Sequence, residues 1–159
     1  MKSIPLTQGR FALIDDDDFD KVVAYRSWHA VESRGTFYAR TNVHCKDGHW
    51  TLLPMHRLIM GVSGNLQVDH KNGDGLDNRK ENLRVCTQGE NAKNRRRSSL
   101  STSPFKGVSF RKRERRWVAR VNSNGKRLWL GMYSTAEEAA RVYDAKAREV
   151  YGAFARTNF

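Results

Sequence analysis

The sequence has two cysteines, no long apolar run and few acidic residues for its length. Cys45 and Cys86 are far apart and form no Cys-x-x-Cys pair, which excludes a disulfide framework and gives no reason to expect structural zinc. No apolar run approaches membrane-spanning length, and the first residues lack the apolar stretch of a signal peptide. We therefore expect a cytoplasmic protein that is not secreted and has no membrane partner.

The shortage of acidic residues leaves a strongly basic chain. Lys and Arg number 29 against 17 Asp and Glu, so the formal net charge is +12. Such a surplus attracts polyanions and makes their binding salt-dependent. With 159 residues and 38% hydrophobic content, the chain supports modest cores rather than one large core. These properties predict two compact modules and a phosphate-rich partner.

The first sixty residues alternate short apolar runs with turn signals. The acids Asp15 to Asp18 are typical of a helix N-terminus, and Asp47-Gly48 is typical of a hairpin turn. The predicted elements are a strand at 11–14, a helix reaching Trp28, hairpin strands at 36–43 and 49–53, and a helix at 55–60 that ends at Gly61.

A basic, serine-rich segment at residues 95–103 has no apolar period and predicts a linker, which either contacts phosphates itself or is a solvated tether. Beyond it, three segments alternate with the two-residue period of strands, and a helix starts after Ser134 or Thr135. The strands are predicted at 107–111, 117–122 and 126–131, with Asn124-Gly125 as the last turn. The predicted fold is α+β, with domains at 1–94 and 104–159, the second being a three-stranded antiparallel sheet packed on one helix.

The segment 68–85, together with Asn91, carries the candidate chemistry, and it has three interpretations. A calcium loop is disfavoured because His70 would stand at the opening position, where a hard cation needs oxygen. A glycine-rich turn explains residues 72–75 but leaves Asp69, His70 and Asn91 unexplained. In the third interpretation Asp69 and Asn91 hold one divalent cation against a phosphate, while His70 deprotonates water and Asn82 fixes its tautomer.

The spacing of Asp69-His70, Asn82 and Asn91 resembles that of the HNH endonucleases, and the resemblance extends over residues 55–95. It implies a ββα-metal core at about 66–95, with Asp69 and Asn91 binding Mg²⁺ or Mn²⁺, His70 as general base and Asn82 as the residue that orients it. The same resemblance implies that Asn78 braces the loop. It also implies that His56 or Arg57 approaches a phosphate, with packing as the alternative for His56.

The strand alternation after residue 107 sorts side chains onto two sheet faces. The predicted core face consists of Val108, Phe110, Trp117, Ala119, Val121, Leu128 and Leu130. The opposite face consists of Ser109, Arg111, Arg120, Asn122, Arg127 and Trp129. An arginine guanidinium can donate two hydrogen bonds to a guanine edge or to a phosphate, and an indole can pack against a thymine methyl. We therefore predict that this face contacts DNA. The alternative is a charged outer face whose Trp129 is covered by a neighbouring domain.

Residues 103–159 closely resemble the Apetala/ethylene-response-factor domain of plant transcription regulators. The shared motifs are Lys106-Gly107-Val108, Trp129-Leu130-Gly131, the run from Thr135 to Ala140, Tyr143-Asp144, and the ending from Ala155 to Phe159. The resemblance implies that Lys106, Arg111, Arg120, Arg127 and Trp129 lie on a DNA-facing sheet. Ser109 and Asn122 stand where the plant domains commonly carry arginine, so the plant target sequence does not transfer.

Together these patterns predict a metal-dependent endonuclease of the homing type, from a phage or a bacterium, that hydrolyses phosphodiester bonds in duplex DNA. The expected partner is double-stranded DNA, and the chain is expected to be a monomer or a homodimer. Because one HNH site cuts one strand, a monomer would nick. The alternative is a non-catalytic, sequence-specific DNA-binding transcription regulator in which the HNH segment is only a scaffold.

Overall fold

The computed structural model describes residues 1–33, 35–97, 101–123 and 125–159, and it divides into two compact units, Met1–Asn91 and Ala92–Phe159. Both units combine short helices with antiparallel strands, which confirms the predicted α+β class. Part of the predicted linker (98–100) and Asn124 of the predicted turn lie outside the described residues. Among the described residues, no helix is long and apolar enough to cross a membrane.

The first unit contains three small antiparallel sheets. In the first sheet β1 (Lys2–Pro5) pairs with β2 (Phe11–Ile14). The second sheet is a meander of β3 (His29–Ser33), β4 (Thr36–His44) and β5 (Trp50–Pro54). In the third sheet β6 (Gln67–His70) pairs with β7 (Leu83–Cys86). The helices are α1 (Phe19–Val23), α2 (Met55–Met60) and α3 (Gln88–Lys93), the last two residues of α3 belonging to the second unit. The two-stranded sheets are too small to be stable alone, so they depend on packing around a core shared with the rest of the unit.

That core is formed by apolar residues from β1 to β4, α1, α2, β6 and β7, with Ile14, Val22 and Met55 fully buried. The first helix is shorter than predicted: it ends at Val23, and the indole nitrogen of Trp28 donates a hydrogen bond to the carbonyl of Val22 at 3.1 Å. The second helix ends as predicted, because Gly61 adopts a left-handed φ of 64° that favours glycine.

The second unit is a three-stranded antiparallel sheet packed on one long helix, as predicted. Its strands are β8 (Val108–Arg111), β9 (Arg116–Ser123) and β10 (Lys126–Tyr133), in the order β10-β9-β8. The helix α4 (Ala136–Tyr151) begins with a reciprocal capping box between Thr135 and Glu138. Ala139, Ala140 and Ala147 are fully buried, and these small side chains let the helix lie close to the sheet.

Gly107 shows how close that packing is. A Cβ atom built at this position would lie 2.0 Å from the Tyr143 ring, and φ is 76°. No other residue type satisfies both conditions without displacing the aromatic ring. This accounts physically for the glycine of the Lys106-Gly107-Val108 motif.

The end of the chain is held to α4 by one buried carboxylate. Asp144 accepts hydrogen bonds from the backbone N–H groups of Asn158 and Phe159 and from the Asn158 side chain, each at 2.9 Å. The Asn158 Oδ1 atom in turn accepts from the backbone N–H of Lys106 at 2.7 Å. The Tyr143-Asp144 motif and the final motif are therefore joined by these hydrogen bonds, which we call the Asp144 clasp.

One core assignment from the alternation was wrong: Phe110 was predicted to face the helix but is 41% exposed, with its ring 4.9 Å from that of Trp117. Val118, which was not assigned to the helix-facing core, is nevertheless fully buried. It lies in the central strand, directly opposite Ser109 and Met132, so neighbours on both sides cover it although it points away from α4.

Candidate functional site

The outer face of the second sheet carries an exposed indole beside a guanidinium. Trp129 and Arg120 are directly paired across β10 and β9, and the guanidinium carbon of Arg120 lies 5.2 Å from the indole ring centroid. Trp129 is 51% exposed. A half-exposed ring of this kind presents a flat apolar surface bordered by positive charge.

A β-bulge sets the position of that tryptophan. Trp129 pairs with Arg120 but Gly131 pairs with Ala119, so Leu130 is an additional residue on β10. Gly131 has a φ of 125°, and a Cβ there would lie 2.8 Å from the Tyr133 hydroxyl oxygen. Bulges redirect side chains next to functional surfaces. The Trp129-Leu130-Gly131 motif is thus the sequence of this bulge.

Arginines surround Trp129 on the same face. Arg111 lies directly opposite Arg116, and Arg127 lies opposite Asn122. Like charges placed directly opposite one another destabilise a sheet. In the part of the chain that the structure describes, none of Arg111, Arg116, Arg120 and Arg127 lies within 4.0 Å of a carboxylate oxygen. The face therefore holds uncompensated positive charge that an anionic ligand would neutralise.

Sequence reasoning missed Arg116 as part of this face, because the predicted strand began one residue later, at 117. The strand β9 begins at Arg116, and the two-residue period places this side chain on the same face as Val118 and Arg120. The signal was present in the sequence. Extending the alternation of β9 back by one residue includes Arg116.

A basic cleft of about 330 Å³ lies beside β9, beyond the end of β8. Its charged lining consists of Lys93, Lys106, Arg120 and Arg127, and Tyr143 and Tyr151 line it as well. Lys106 lies before β8 rather than within the sheet, and its Nζ donates to the carbonyl oxygen of Lys93 at 2.6 Å. Burial lowers the pKa of the Lys106 ammonium to about 8, and the nearby Arg156 lowers it further.

Lys93 is a second residue that sequence reasoning missed. It was assigned to the helix of the nuclease motif, whereas the structural division places Ala92 and the residues after it with the second unit. Its Nζ lies 5.6 Å from the centroid of the Tyr151 ring, and its carbonyl holds Lys106. The basic cleft therefore includes sequence from before the predicted linker.

The hairpin of β6 and β7 carries the predicted Asp69-His70 pair. Asp69 lies opposite Arg84, whose Nε and Nη2 both donate to Oδ2 of Asp69, at 2.8 and 2.6 Å. Both side chains are largely buried, with 8% and 13% exposure. The carboxylate proposed as a metal ligand is therefore engaged in a largely buried, charge-assisted pair.

The loop between β6 and β7 is closed by its own amides and carboxylates. The Asn72 side chain donates to Asp77, and the backbone N–H of Asn72 donates to Oδ1 of Asn82, both at 3.0 Å. The Asn82 side chain also donates to the carbonyl of Asp77 at 2.8 Å, and Asp77 binds Arg79 through two nitrogens. The structural interpretation of the glycine-rich turn thus accounts for these residues.

His70 is buried, and its Nε2 lies 3.3 Å from Oδ1 of Asn78. Because Asn78 uses its Nδ2 to donate to the Leu76 carbonyl, its Oδ1 faces His70 and accepts, so the proton is on Nε2. Burial lowers the pKa of His70. Asn78 makes this contact with Nε2, and the role of Asn82 in orienting His70 stays a prediction. Asn78 is itself held by its backbone N–H, which donates to Leu13 in β2 at 2.8 Å.

His56 and Arg57 have structural roles in the described residues. His56 packs against His70 and Tyr38, with ring centroids 5.0 and 6.0 Å away, and burial together with His70 lowers its pKa to about 3. Arg57 donates to the carbonyls of Leu66 and Gly64. The packing alternative for His56 agrees with this geometry.

Asn91, the second predicted metal ligand, is tied to the end of the same hairpin. Its Nδ2 donates to Oε1 of Gln67 at 2.6 Å. A divalent cation at Asp69 would lie next to the Arg84 guanidinium, which already satisfies Oδ2, so the arrangement does not offer the carboxylate as an unpaired ligand. The Mg²⁺ or Mn²⁺ prediction stays a prediction, as do the cytoplasmic location and the oligomeric state.

Two protein families match segments of the chain. Residues 103–153 match the AP2 domain family, and residues 55–93 match a family described as HNH endonuclease. The first match confirms that the C-terminal unit carries an AP2 domain, in agreement with its sheet and helix.

Curated relatives of the chain include plant transcription factors. The ethylene-responsive transcription factor ERN1 of Medicago truncatula is 42% identical over 86 residues, which are 53% of this chain and 32% of that protein. The dehydration-responsive element-binding protein 1J of Oryza sativa subsp. indica is 50% identical over 58 residues, 35% of this chain and 24% of that protein. The ethylene-responsive transcription factor ERF010 of Arabidopsis thaliana is 48% identical over 58 residues, 35% of this chain and 31% of that protein. The chain thus spans a third or less of the length of these relatives.

These comparisons contradict the predicted endonuclease. The relatives are named as transcription factors and element-binding proteins, not as enzymes, and this supports the alternative, a non-enzymatic DNA-binding regulator, over phosphodiester hydrolysis. The four residues at family positions were the reason for the enzymatic interpretation. In the structure, Asp69 and Asn82 are held by contacts that stabilise the hairpin and its loop.

Proposed function

We propose that this protein is a sequence-specific regulator that binds double-stranded DNA through the outer face of its C-terminal sheet. The observation that carries the proposal is the half-exposed Trp129 set against Arg120 on a face whose arginines have no carboxylate partner among the described residues. Relatives that share this segment are named as a transcription factor and as a dehydration-responsive element-binding protein, which supports the same conclusion.

The proposed contact places the strands of the second sheet along the major groove. Arginine donates two parallel hydrogen bonds to the O6 and N7 atoms of guanine, and an indole packs on sugars or on a thymine methyl. Arg120 and Arg127 flank Trp129 and are placed to read base edges, whereas Arg111 and Arg116, near the end of the sheet, are placed to bind phosphates. The proposed target differs from that of the plant proteins, because Ser109 and Asn122 offer shorter side chains than arginine.

The basic cleft extends this face toward the DNA backbone. Lys93 and Lys106 join Arg120 and Arg127 around it, and a phosphate there would relieve the repulsion among four positive groups. We assign it a positioning role rather than base recognition, since lysine forms single, non-planar contacts. Binding at this cleft is therefore expected to be salt-dependent and insensitive to sequence.

We propose that the first unit is an HNH-like ββα scaffold without a catalytic role. The support is its hydrogen bonding: Asp69 is paired with Arg84, and the loop amides bind one another and the backbone. Buried polar groups that hydrogen-bond to one another stabilise the local structure, and these bonds would have to break before the groups could bind a ligand.

The proposal is tested by selecting DNA from a randomised duplex library with the full chain and sequencing the bound fraction. An enriched motif is expected for the wild type, with loss or relaxation of the motif in Arg120→Ala and Trp129→Ala. Lys146→Ala removes one positive charge on α4, where Lys146 pairs with Glu149, and serves as the matched control. Equal recovery of all sequences by the wild type would reject sequence-specific binding.

A further inference from the structure

The turn between β4 and β5 brings together a thiol, a carboxylate and an imidazole. The backbone N–H of Cys45 donates to the carbonyl of His49 at 2.8 Å, and the N–H of Gly48 donates to the carbonyl of Cys45 at 3.0 Å. Gly48 has a φ of 87°, which permits the tight return of the chain. The turn places one ligand atom each of Cys45, Asp47 and His49 within 4.8 Å of one another.

Two of these groups already lie within hydrogen-bonding distance of each other. Nδ1 of His49 lies 2.6 Å from Oδ1 of Asp47. In a tetrahedral zinc site, nitrogen, oxygen and sulfur ligands are separated by roughly 3.3 to 3.6 Å, given bond lengths of about 2.0 to 2.3 Å. Because the ligand atoms already lie within 4.8 Å of one another, small side-chain rotations would bring them to these separations around a metal ion.

We propose that Cys45, Asp47 and His49 form a binding site for a borderline-soft divalent transition-metal ion, with Zn²⁺ as the best match. Thiolate and imidazole favour zinc over Mg²⁺ and Ca²⁺, which require oxygen ligands. On binding, the thiol loses its proton to solvent, the imidazole coordinates through a nitrogen that carries no proton, and water fills the fourth position. The Asp47 and His49 side chains are 65% and 63% exposed, so the ion enters without local unfolding.

This site is independent of the proposed DNA-binding function. It lies in the first unit, at the tip of a hairpin, and none of its ligands belongs to the outer sheet face or to the Asp69 hairpin. The bound ion would cross-link the two strands of the β4–β5 hairpin at their turn. A loss of metal binding and a loss of DNA binding can therefore be measured separately.

The experiment uses the full chain, kept reduced with a phosphine, stripped of metal with a chelator and desalted. Titration with Co²⁺ is expected to produce the near-ultraviolet charge-transfer band of a cobalt–thiolate bond and the visible bands of tetrahedral Co²⁺, and Zn²⁺ is expected to displace both. Cys45→Ser should abolish the charge-transfer band. Cys86→Ser removes the buried cysteine and is the matched control, which should keep the band.

Two further variants make the outcome unambiguous. His49→Ala is expected to weaken Zn²⁺ binding at least about tenfold, because it removes one of three protein ligands. Asp47→Asn should have a smaller effect, since the amide oxygen still coordinates weakly. The absence of a charge-transfer band in the wild type, or an unchanged band in Cys45→Ser, would overturn the proposal. DNA binding by Cys45→Ser should equal that of the wild type.

Discussion

The outer face of the C-terminal sheet and the β6–β7 hairpin both carry arginines, but they use them in opposite ways. Arg84 of the hairpin is 13% exposed and donates twice to Asp69, whereas Arg120 of the sheet lies over the half-exposed Trp129 with no carboxylate within reach among the described residues. A charge that is paired and buried is neutralised by a partner within the fold. A charge held on a surface without compensation is available to an anionic partner outside it.

This difference separates structural from functional residues where residue type alone does not. Asp69, His70 and Asn82 have the types expected of a hydrolytic site, and their contacts explain how a small hairpin is held together. Arg111 and Arg116 stand directly opposite each other, which costs stability, and an anionic partner would offset that cost. The predictions below test the two assignments.

The largest effect is expected from breaking the buried pair of the hairpin. Asp69→Ala strands the Arg84 guanidinium in a largely buried place and should lower the free energy of unfolding by about 3 kcal/mol. Urea denaturation followed by far-ultraviolet circular dichroism measures this change. The double variant Asp69→Leu with Arg84→Met should recover most of the lost stability. A fully stable Asp69→Ala chain would contradict the structural assignment.

The second largest effect is expected on the sheet face, in DNA affinity rather than stability. Arg127→Ala should weaken binding to the selected duplex by about 1 to 3 kcal/mol, or roughly fivefold to 150-fold, and relax specificity at one or two positions. Fluorescence anisotropy with the selected and a scrambled duplex measures both. Lys146→Ala is the charge-matched control. Unchanged affinity in Arg127→Ala would remove that residue from the interface.

A smaller effect is expected at the basic cleft. Lys93→Ala removes a phosphate contact, and it should weaken selected and scrambled duplexes alike. The slope of log affinity against log salt should fall by about one. Titrations at several salt concentrations measure the slope. A loss restricted to the selected duplex would instead indicate base contact by Lys93.

The sequence predicted the fold class, the sheet on one helix and the strands closely, because alternation, capping residues and turn glycines are local signals. Thr135 and Glu138 gave the start of α4 directly. Other features depended on contacts between residues far apart in the chain. The Asp144 clasp joins positions 14 residues apart, Asn78 is positioned by Leu13 from another sheet, and Phe110 is exposed because β8 is a short edge strand.

In the candidate site, too, local patterns were predictable and contacts between distant residues were not. The residues of the sheet face were predicted apart from Arg116, because the period of a strand sets which side chains share a face. The role of Asp69 was not predictable from residue type, since its partner Arg84 is set by the hairpin register. Lys93 was assigned to the other module because a helical pattern does not indicate to which core the end of the helix belongs.

The smallest effect is a pH dependence of DNA binding that arises from Lys106. Burial lowers the pKa of this ammonium to about 8, below its unfolded value, so the folded protein loses the proton first as pH rises. Below pH 8 the burial of the charged Lys106 therefore lowers the free energy of unfolding. This loss of stability disappears as the pH rises from about 8 to 10.5. DNA affinity has the opposite dependence, because a phosphate requires the charged form. Between pH 7 and 9 affinity should fall by at most about tenfold, since one required proton contributes a factor of ten per pH unit above its pKa.

The control for that titration is Lys106→Arg, which stays charged over this range and should bind DNA with an affinity that does not change from pH 7 to 9. Lys106→Met should also be independent of pH but weaker throughout, since it never carries the charge. If the wild type and Lys106→Arg lose affinity equally as the pH rises, the titrating group lies elsewhere, and Lys106 then holds the carbonyl of Lys93 without contacting DNA. In that case the cleft is part of the fold, as the β6–β7 hairpin is, and the uncompensated charge of the C-terminal unit is confined to its sheet.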